Sequence, residues 1–186
     1  ADEGIAWLKQ REDQEKPFFL HVCFHEPHEP IDSPDAMVKR YAEGGASKKG
    51  EALYYANVEN MDAAVGKLMA ALDEMELADN TLVFFTSDNG PETLNRYKSA
   101  WRSHGTSGPL RAMKLWMYDG GIRVAGIMRF PGHTQAGEEP GTPIASLDLL
   151  PTFCELAGVE APQDRALDGA SITPLFRGEP LKREQP

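Results

Sequence analysis

Thr86-Ser87-Asp88-Asn89-Gly90-Pro91 sets a carboxylate and an amide oxygen side by side, directly after the apolar, β-rich run Thr81-Leu82-Val83-Phe84-Phe85. A strand that stops at such a pair delivers both oxygens to one point at a sheet edge, and hard cations take oxygen ligands of this kind. Open α/β sheets carry their sites at that edge. An Asn-Gly turn closing a strand is the plainer reading of the same hexapeptide, since both residues tolerate left-handed backbone angles. Two further clusters hold comparable positions. His25 and His28 follow an apolar run at 18–24, and Lys114 with Tyr118-Asp119-Gly120-Gly121 leads into another at 122–130.

Brought together, these groups make an electropositive pocket suited to an anionic tetrahedral group, phosphate or sulfate. A cation at Asp88 and Asn89 withdraws charge from the bound oxygens. Lys114 serves as a compact point charge, and a histidine can donate a proton to the departing oxygen. Taken singly, each has an ordinary reading. A histidine after a strand is commonly a hydrogen-bonding loop residue, and a lysine before Gly-Gly is commonly surface. His104, between Ser103 and Gly105, reads as loop from its neighbours and is carried as a further substrate-facing candidate.

The elements that must position these groups follow from periodicity. Residues 1–14 read as a short amphipathic helix with Ile5, Leu8 and Trp7 inward, ended by Pro17. Phe18-Phe19-Leu20-His21-Val22-Cys23-Phe24 is nearly continuous in its apolar character, as in a strand covered on both faces. Residues 31–50 are polar, contain Gly44-Gly45 and Lys48-Lys49-Gly50, and read as a surface loop. Tyr54, Val58, Met61, Val65, Leu68, Leu72 and Met75 step by threes and fours, which predicts a core-facing helix over 51–77. Residues 90–113, with Arg96, Lys98, Arg102, His104 and Arg111, form a long polar loop of the length that is usually functional or disordered. Residues 146–156 read as a helix, with Ser146 or Asp148 at its start, Pro151 early and Gly158 as terminator. A loop and one short helix occupy 167–178. The strand–loop–helix–strand order predicts an α/β fold, with a mixed, largely parallel central sheet flanked by helices and strands at 18–24, 81–87 and 122–130 as neighbours or near-neighbours.

At 186 residues the chain suits one domain or part of a larger one. Its 41% hydrophobic and 26% charged residues are those of a soluble globular protein. The net charge of −10 argues against nonspecific nucleic-acid binding while leaving room for a local cationic pocket. No run is long and apolar enough to span a membrane. The chain starts at Ala1 without an initiator Met and stops abruptly at Pro186, which reads as a piece of a longer protein. Cys23 and Cys154 lack metal-ligand spacing and read as small buried hydrophobes, with a disulfide between them left open.

The segments FFLHVCFHEPHEP, YYANVENMDAAVGKLMAALDE, TLVFFTSDNGPE, GPLRAMKLWMYDGGIRVAGIMRFPG and SLDLLPTFCELAG, in this order, closely resemble the sulfatase family, the arylsulfatase-like branch of the alkaline phosphatase superfamily. The resemblance runs from about residue 17 to residue 178. It implies an alkaline-phosphatase-like fold, incomplete here, with residues 1–186 forming a partial catalytic domain that lacks its N-terminal portion. By resemblance, His28 touches the sulfate and the leaving oxygen, Lys114 contacts the sulfate, and Asp88 and Asn89 bind one divalent cation, usually calcium. His25 has no firm counterpart. Ala112 stands where glycine is common in the family, and Asp119 where glutamate is common.

The family also carries an early acidic metal-binding pair and a Cys- or Ser-x-Pro-x-Arg motif whose first residue becomes the formylglycine nucleophile. Cys23 precedes Phe-His-Glu and Cys154 precedes Glu-Leu-Ala, so neither fits, and both elements are expected upstream of Ala1. The resemblance implies a parent that hydrolyses sulfate esters of an aromatic compound or carbohydrate, periplasmic or secreted, and an inactive isolated chain. The alternatives are a phosphatase, phosphodiesterase or phosphonate hydrolase of the same superfamily, or a non-catalytic domain of the same fold.

Overall fold

The computed structural model describes residues 1–46, 50–92 and 104–183. Helix α1 (Asp2–Gln10) carries Asp2 and Glu3 in its first turn and Lys9 in its last, which suits the helix dipole. It buries Leu8 as expected and leaves Trp7 45% exposed, edge-on to Phe18 at 6.3 Å. Helix α2 (Asp35–Glu43) falls inside the stretch read from sequence as a loop. Its polar composition hid it, yet Pro34 directly before it and Asp35 in its first turn are ordinary start signals. None of its residues is buried, and it is held by packing on helix α3 (Glu51–Glu74), where Arg40 pairs with Glu59 and the rings of Tyr41 and Tyr55 lie 5.8 Å apart.

Helix α3 is the expected amphipathic helix. It buries Ala56, Asn57, Ala71 and Leu72, and most of the predicted apolar stripe lies half-buried around them. The core forms where its C-terminal end meets α1: Leu8, Leu72 and Ala78 are buried together, with Phe18, Leu20, Met75, Leu77 and Val83 packed against them.

Strand β1 (Val83–Thr86) pairs antiparallel with β2 (Gly126–Arg129), in the register Val83–Arg129 to Thr86–Gly126. Among the described residues this pair is the whole sheet. The runs expected at 81–87 and 122–130 are therefore neighbours, but they run in opposite directions. Residues 119–122 form a helical turn, α4 (Asp119–Ile122), ahead of β2.

The run at 18–24 does not join this ladder. Its odd and even positions separate cleanly: Phe18, Leu20, Val22 and Phe24 are half-buried, while Phe19, His21 and Cys23 are exposed, Phe19 at 70%. One face packs on α1 and α3, and the other is exposed apart from the contact of the Phe19 ring with that of Phe153 at 5.7 Å. The apolar composition could not show this, because Phe19 and Cys23 look like core residues wherever they point. Cys23 is thus exposed rather than buried, 3.5 Å from His21 Nε2, and both cysteines are free thiols.

Helix α5 (Leu149–Ala157) follows a tight turn at Ser146–Asp148 and stops at Gly158, which adopts φ +66° as the sequence predicts. The short helix expected in the tail is present at Thr173–Arg177. No helix among the described residues is long and apolar enough to cross a membrane.

Candidate active site

His28 stands in a loop closed on itself. Its backbone N–H donates to His25 O (2.9 Å) and its ring Nδ1 to Glu29 O (2.7 Å). His25 Nε2 donates to Pro30 O (3.2 Å), and Ile31 N–H to Glu29 Oε2 (3.1 Å). Helix α3 anchors the loop from outside, through Asn60 Nδ2 to Glu26 Oε1 (3.2 Å) and Asn57 Nδ2 to Asp32 O (2.8 Å). The segment from Glu26 to Asp32 is thus tied at both ends to α3.

Asp88 and Asn89 leave β1 together. Ser87 Oγ donates to Asn89 O (3.0 Å), and Asn89 Nδ2 donates to Gly90 O (3.0 Å). The amide nitrogen is thereby used inside the turn, which leaves the amide oxygen as the atom Asn89 would present to a cation. The turn is then clamped to the segment carrying Lys114. Gly90 N–H donates to Gly121 O (2.8 Å), and Lys114 N–H donates to Pro91 O (3.1 Å). The backbones approach so closely that a Cβ on Gly90 would fall 1.9 Å from Gly120 O, and one on Gly121 2.0 Å from Trp116 O. Only glycine fits such contacts. The Gly-Gly element is therefore a packing surface that fixes where Lys114 stands relative to Asp88 and Asn89.

Two residues beside Lys114 adopt left-handed backbone angles, Ala112 at φ +66° and Leu115 at φ +81°. Ala112 thus holds an angle that glycine adopts without a steric penalty. Arg111 lies over the ring of Tyr118 at 3.9 Å, closing the same turn from its other end.

The long-range consequence is a direct contact. Lys114 Nζ lies 3.1 Å from His28 Nε2. The structure thus joins His28 to Lys114, and Lys114 through its backbone to the loop of Asp88 and Asn89. His104 lies elsewhere in the same neighbourhood. Its ring meets Tyr54 edge-on at 6.2 Å, in a groove of about 680 Å³ lined also by Tyr41, Tyr55, Glu59 and Asp62, whose lining includes neither His28 nor Lys114. The adjoining Gly105 abuts Pro91, so this groove opens beside the Asp88–Asn89 turn. Arg96, Lys98 and Arg102 lie outside the described residues.

One pattern escaped the sequence reading. Ser107-Gly108-Pro109-Leu110-Arg111 also spells Ser-x-Pro-x-Arg. Its hydroxyl donates to Ala112 O (2.9 Å) and Leu110 O (3.3 Å), so Ser107 braces the turn that leads to Lys114. Asp88 and Asn89 together offer hard oxygen donors that fit calcium chemistry, as part of a larger ligand set of roughly six to eight oxygens.

The Sulfatase family model matches residues 1–159. The chain belongs to the sulfatase family. This sulfatase chain is 35% identical over 185 residues to mouse (Mus musculus) steryl-sulfatase, covering 99% of itself and 28% of that relative. To human (Homo sapiens) arylsulfatase A it is 39% identical over 165 residues, covering 89% of itself and 30% of the relative. It thus spans less than a third of the length of both. The crystal structure of Ps i-CgsB in complex with k-i-k-neocarrahexaose superposes with a TM-score of 0.82 at 32% identity, over 95% of this chain and 37% of that one. The sulfatase neighbours share the alkaline-phosphatase-like α/β fold, of which β1, β2 and the packed helices here form an incomplete portion.

Proposed function

We propose that this chain is part of a sulfatase catalytic domain, and that its full-length protein hydrolyses a sulfate ester at a site built on His28, Lys114, Asp88 and Asn89. The observation that carries this reading is the 3.1 Å contact between Lys114 Nζ and His28 Nε2, beside an Asp-Asn turn, in a chain that belongs to the family. The Lys114 ammonium neutralises a sulfate oxygen, and His28 takes up a solvent proton at Nε2 and passes it to the departing alcohol oxygen. Asp88 and Asn89 hold calcium, which when bound draws charge from the sulfate oxygens. The nucleophile is carried by a part of the protein outside these residues.

The substrate class is a sulfated carbohydrate or an aryl sulfate. The first is supported by the carbohydrate complex of the structural neighbour and the second by the arylsulfatase relative. The test is turnover by the full-length protein of a chromogenic aryl sulfate, a sulfated oligosaccharide and the matching aryl phosphate. Sulfate release that disappears in Lys114→Ala is the expected result. A preference for the phosphate ester, or sulfate release indifferent to Lys114, would overturn the assignment.

A further inference from the structure

The loop around His28 does more than present a ring. A carbonyl oxygen only accepts hydrogen bonds, so His28 Nδ1, 2.7 Å from Glu29 O, carries the ring hydrogen. An ammonium only donates, so Nε2, 3.1 Å from Lys114 Nζ, presents its lone pair. Both contacts select one neutral tautomer, Nδ1–H. The neighbouring His25 makes the opposite choice: its Nε2 meets Pro30 O at 3.2 Å. Two histidines three positions apart are thus held in opposite tautomers by the successive carbonyls of Glu29 and Pro30.

Glu29 takes part twice. Besides its carbonyl, its carboxylate accepts from Ile31 N–H at 3.1 Å, and the residue is only 7% exposed, against the fully buried Ile31. A carboxylate buried at such a place must be hydrogen-bonded. The ring it closes, from its own side chain to the backbone two residues on, restricts the backbone angles that aim its carbonyl.

We propose that Glu29 is a positioning residue for His28: its carbonyl holds the imidazole as the Nδ1–H tautomer, and its buried carboxylate, on the Ile31 N–H, holds that carbonyl in place. The working nitrogen is then always Nε2, facing Lys114. In the other tautomer, an N–H would point at an ammonium, donor against donor, and Nε2 would have no lone pair with which to take up a proton. The use made of Nε2 rests on the sulfatase reading, but the tautomer itself does not.

The test is nitrogen NMR of the full-length protein with ¹⁵N-labelled histidine, His25 serving as the internal reference of opposite pattern. The wild type and Glu29→Gln, whose amide oxygen can still accept from Ile31, are expected to show His28 with a protonated Nδ1 and an unprotonated Nε2. Glu29→Ala is expected to show His28 averaging between tautomers while His25 is unchanged. Should Glu29→Ala not fold, Glu29→Met, of similar length but with no oxygen to accept from Ile31, must show the same averaging. In the full-length protein Glu29→Ala lowers kcat by about 10–100-fold with KM unchanged, the range found for residues that orient a working ligand, and Glu29→Gln restores most of it. A wild-type His28 carrying Nε2–H, or a folded Glu29→Ala or Glu29→Met that keeps the wild-type pattern, would overturn the proposal. The expected tautomer in a full-length protein that hydrolyses no sulfate ester would overturn the functional assignment instead.

Discussion

Lys114 Nζ lies 3.1 Å from His28 Nε2, although 86 positions separate the two residues along the chain. Each side is fixed independently: His28 by its own loop and α3, Lys114 by the clamp between Gly90 and Gly121 and by its backbone bond to Pro91. The contact therefore joins two segments that are each held by their own hydrogen bonds.

The two residues should act as a unit. In the full-length protein Lys114→Ala and His28→Ala are each expected to lower kcat/KM by about 10²–10³-fold. The double variant should lose little more than the worse single one, since coupled groups are not additive. Steady-state kinetics of the three variants decide the matter, and a double loss equal to the product of the single losses would show that the contact carries no coupling.

Asp88 and Asn89 supply too few donors to hold calcium firmly by themselves. Calorimetric titration of this chain should give a dissociation constant weaker than about 10⁻³ M, the weak end of known calcium sites. The chain alone should also fail to turn over an aryl sulfate above a buffer blank, while chelation should abolish turnover by the full-length protein. Turnover by this chain would mean that the nucleophile lies within it, and Ser107 would then be the first residue to replace.

Ala112 holds a left-handed angle that costs an alanine roughly 1–2 kcal/mol relative to glycine. Ala112→Gly should therefore raise stability by about 1 kcal/mol, part of the gain being returned through the freer unfolded chain. Urea denaturation of both proteins measures it. A lower midpoint for the variant would show that the turn before Lys114 is not strained at this position.

Asp148 ties the C-terminal tail to α5. Its fully buried carboxylate accepts from Ala145 N–H (2.7 Å), Ala170 N–H (3.0 Å) and both terminal nitrogens of Arg183 (2.6 and 2.7 Å). Burial pushes its pKa up, but Arg183 and the two backbone donors outweigh this and hold it below the ordinary carboxylate value. A folded-state pKa below the unfolded one contributes stability that is complete above the unfolded value, about 3.9, and is lost as pH falls through the folded value. Arg183→Met should cost about 3 kcal/mol at neutral pH, the lower end for breaking a buried pair because Arg183 is partly exposed. Its deficit relative to wild type should shrink below about pH 4. Thermal melts from pH 7 to pH 2 test this, and a deficit constant with pH would remove Asp148 from the account.

What the chain sequence determines by itself is its strongly periodic local structure and its family. The stripe from Tyr54 to Met75 makes α3 because a 3.6-residue period needs no knowledge of distant neighbours, and Gly158 ends α5 because only its own backbone angle is at issue. Asp88, Asn89 and Lys114 could be singled out because their motifs are contiguous. The tertiary structure decided the rest. It set the antiparallel sense of β1 and β2, since composition says which residues are apolar and not which way a neighbouring strand runs. It left Phe19 and Cys23 outside, since an alternation is invisible when both faces carry apolar side chains. It also chose the tautomer of His28, because that choice depends on a carbonyl one residue away and an ammonium 86 residues away, and only folding brings both within a hydrogen bond of one ring.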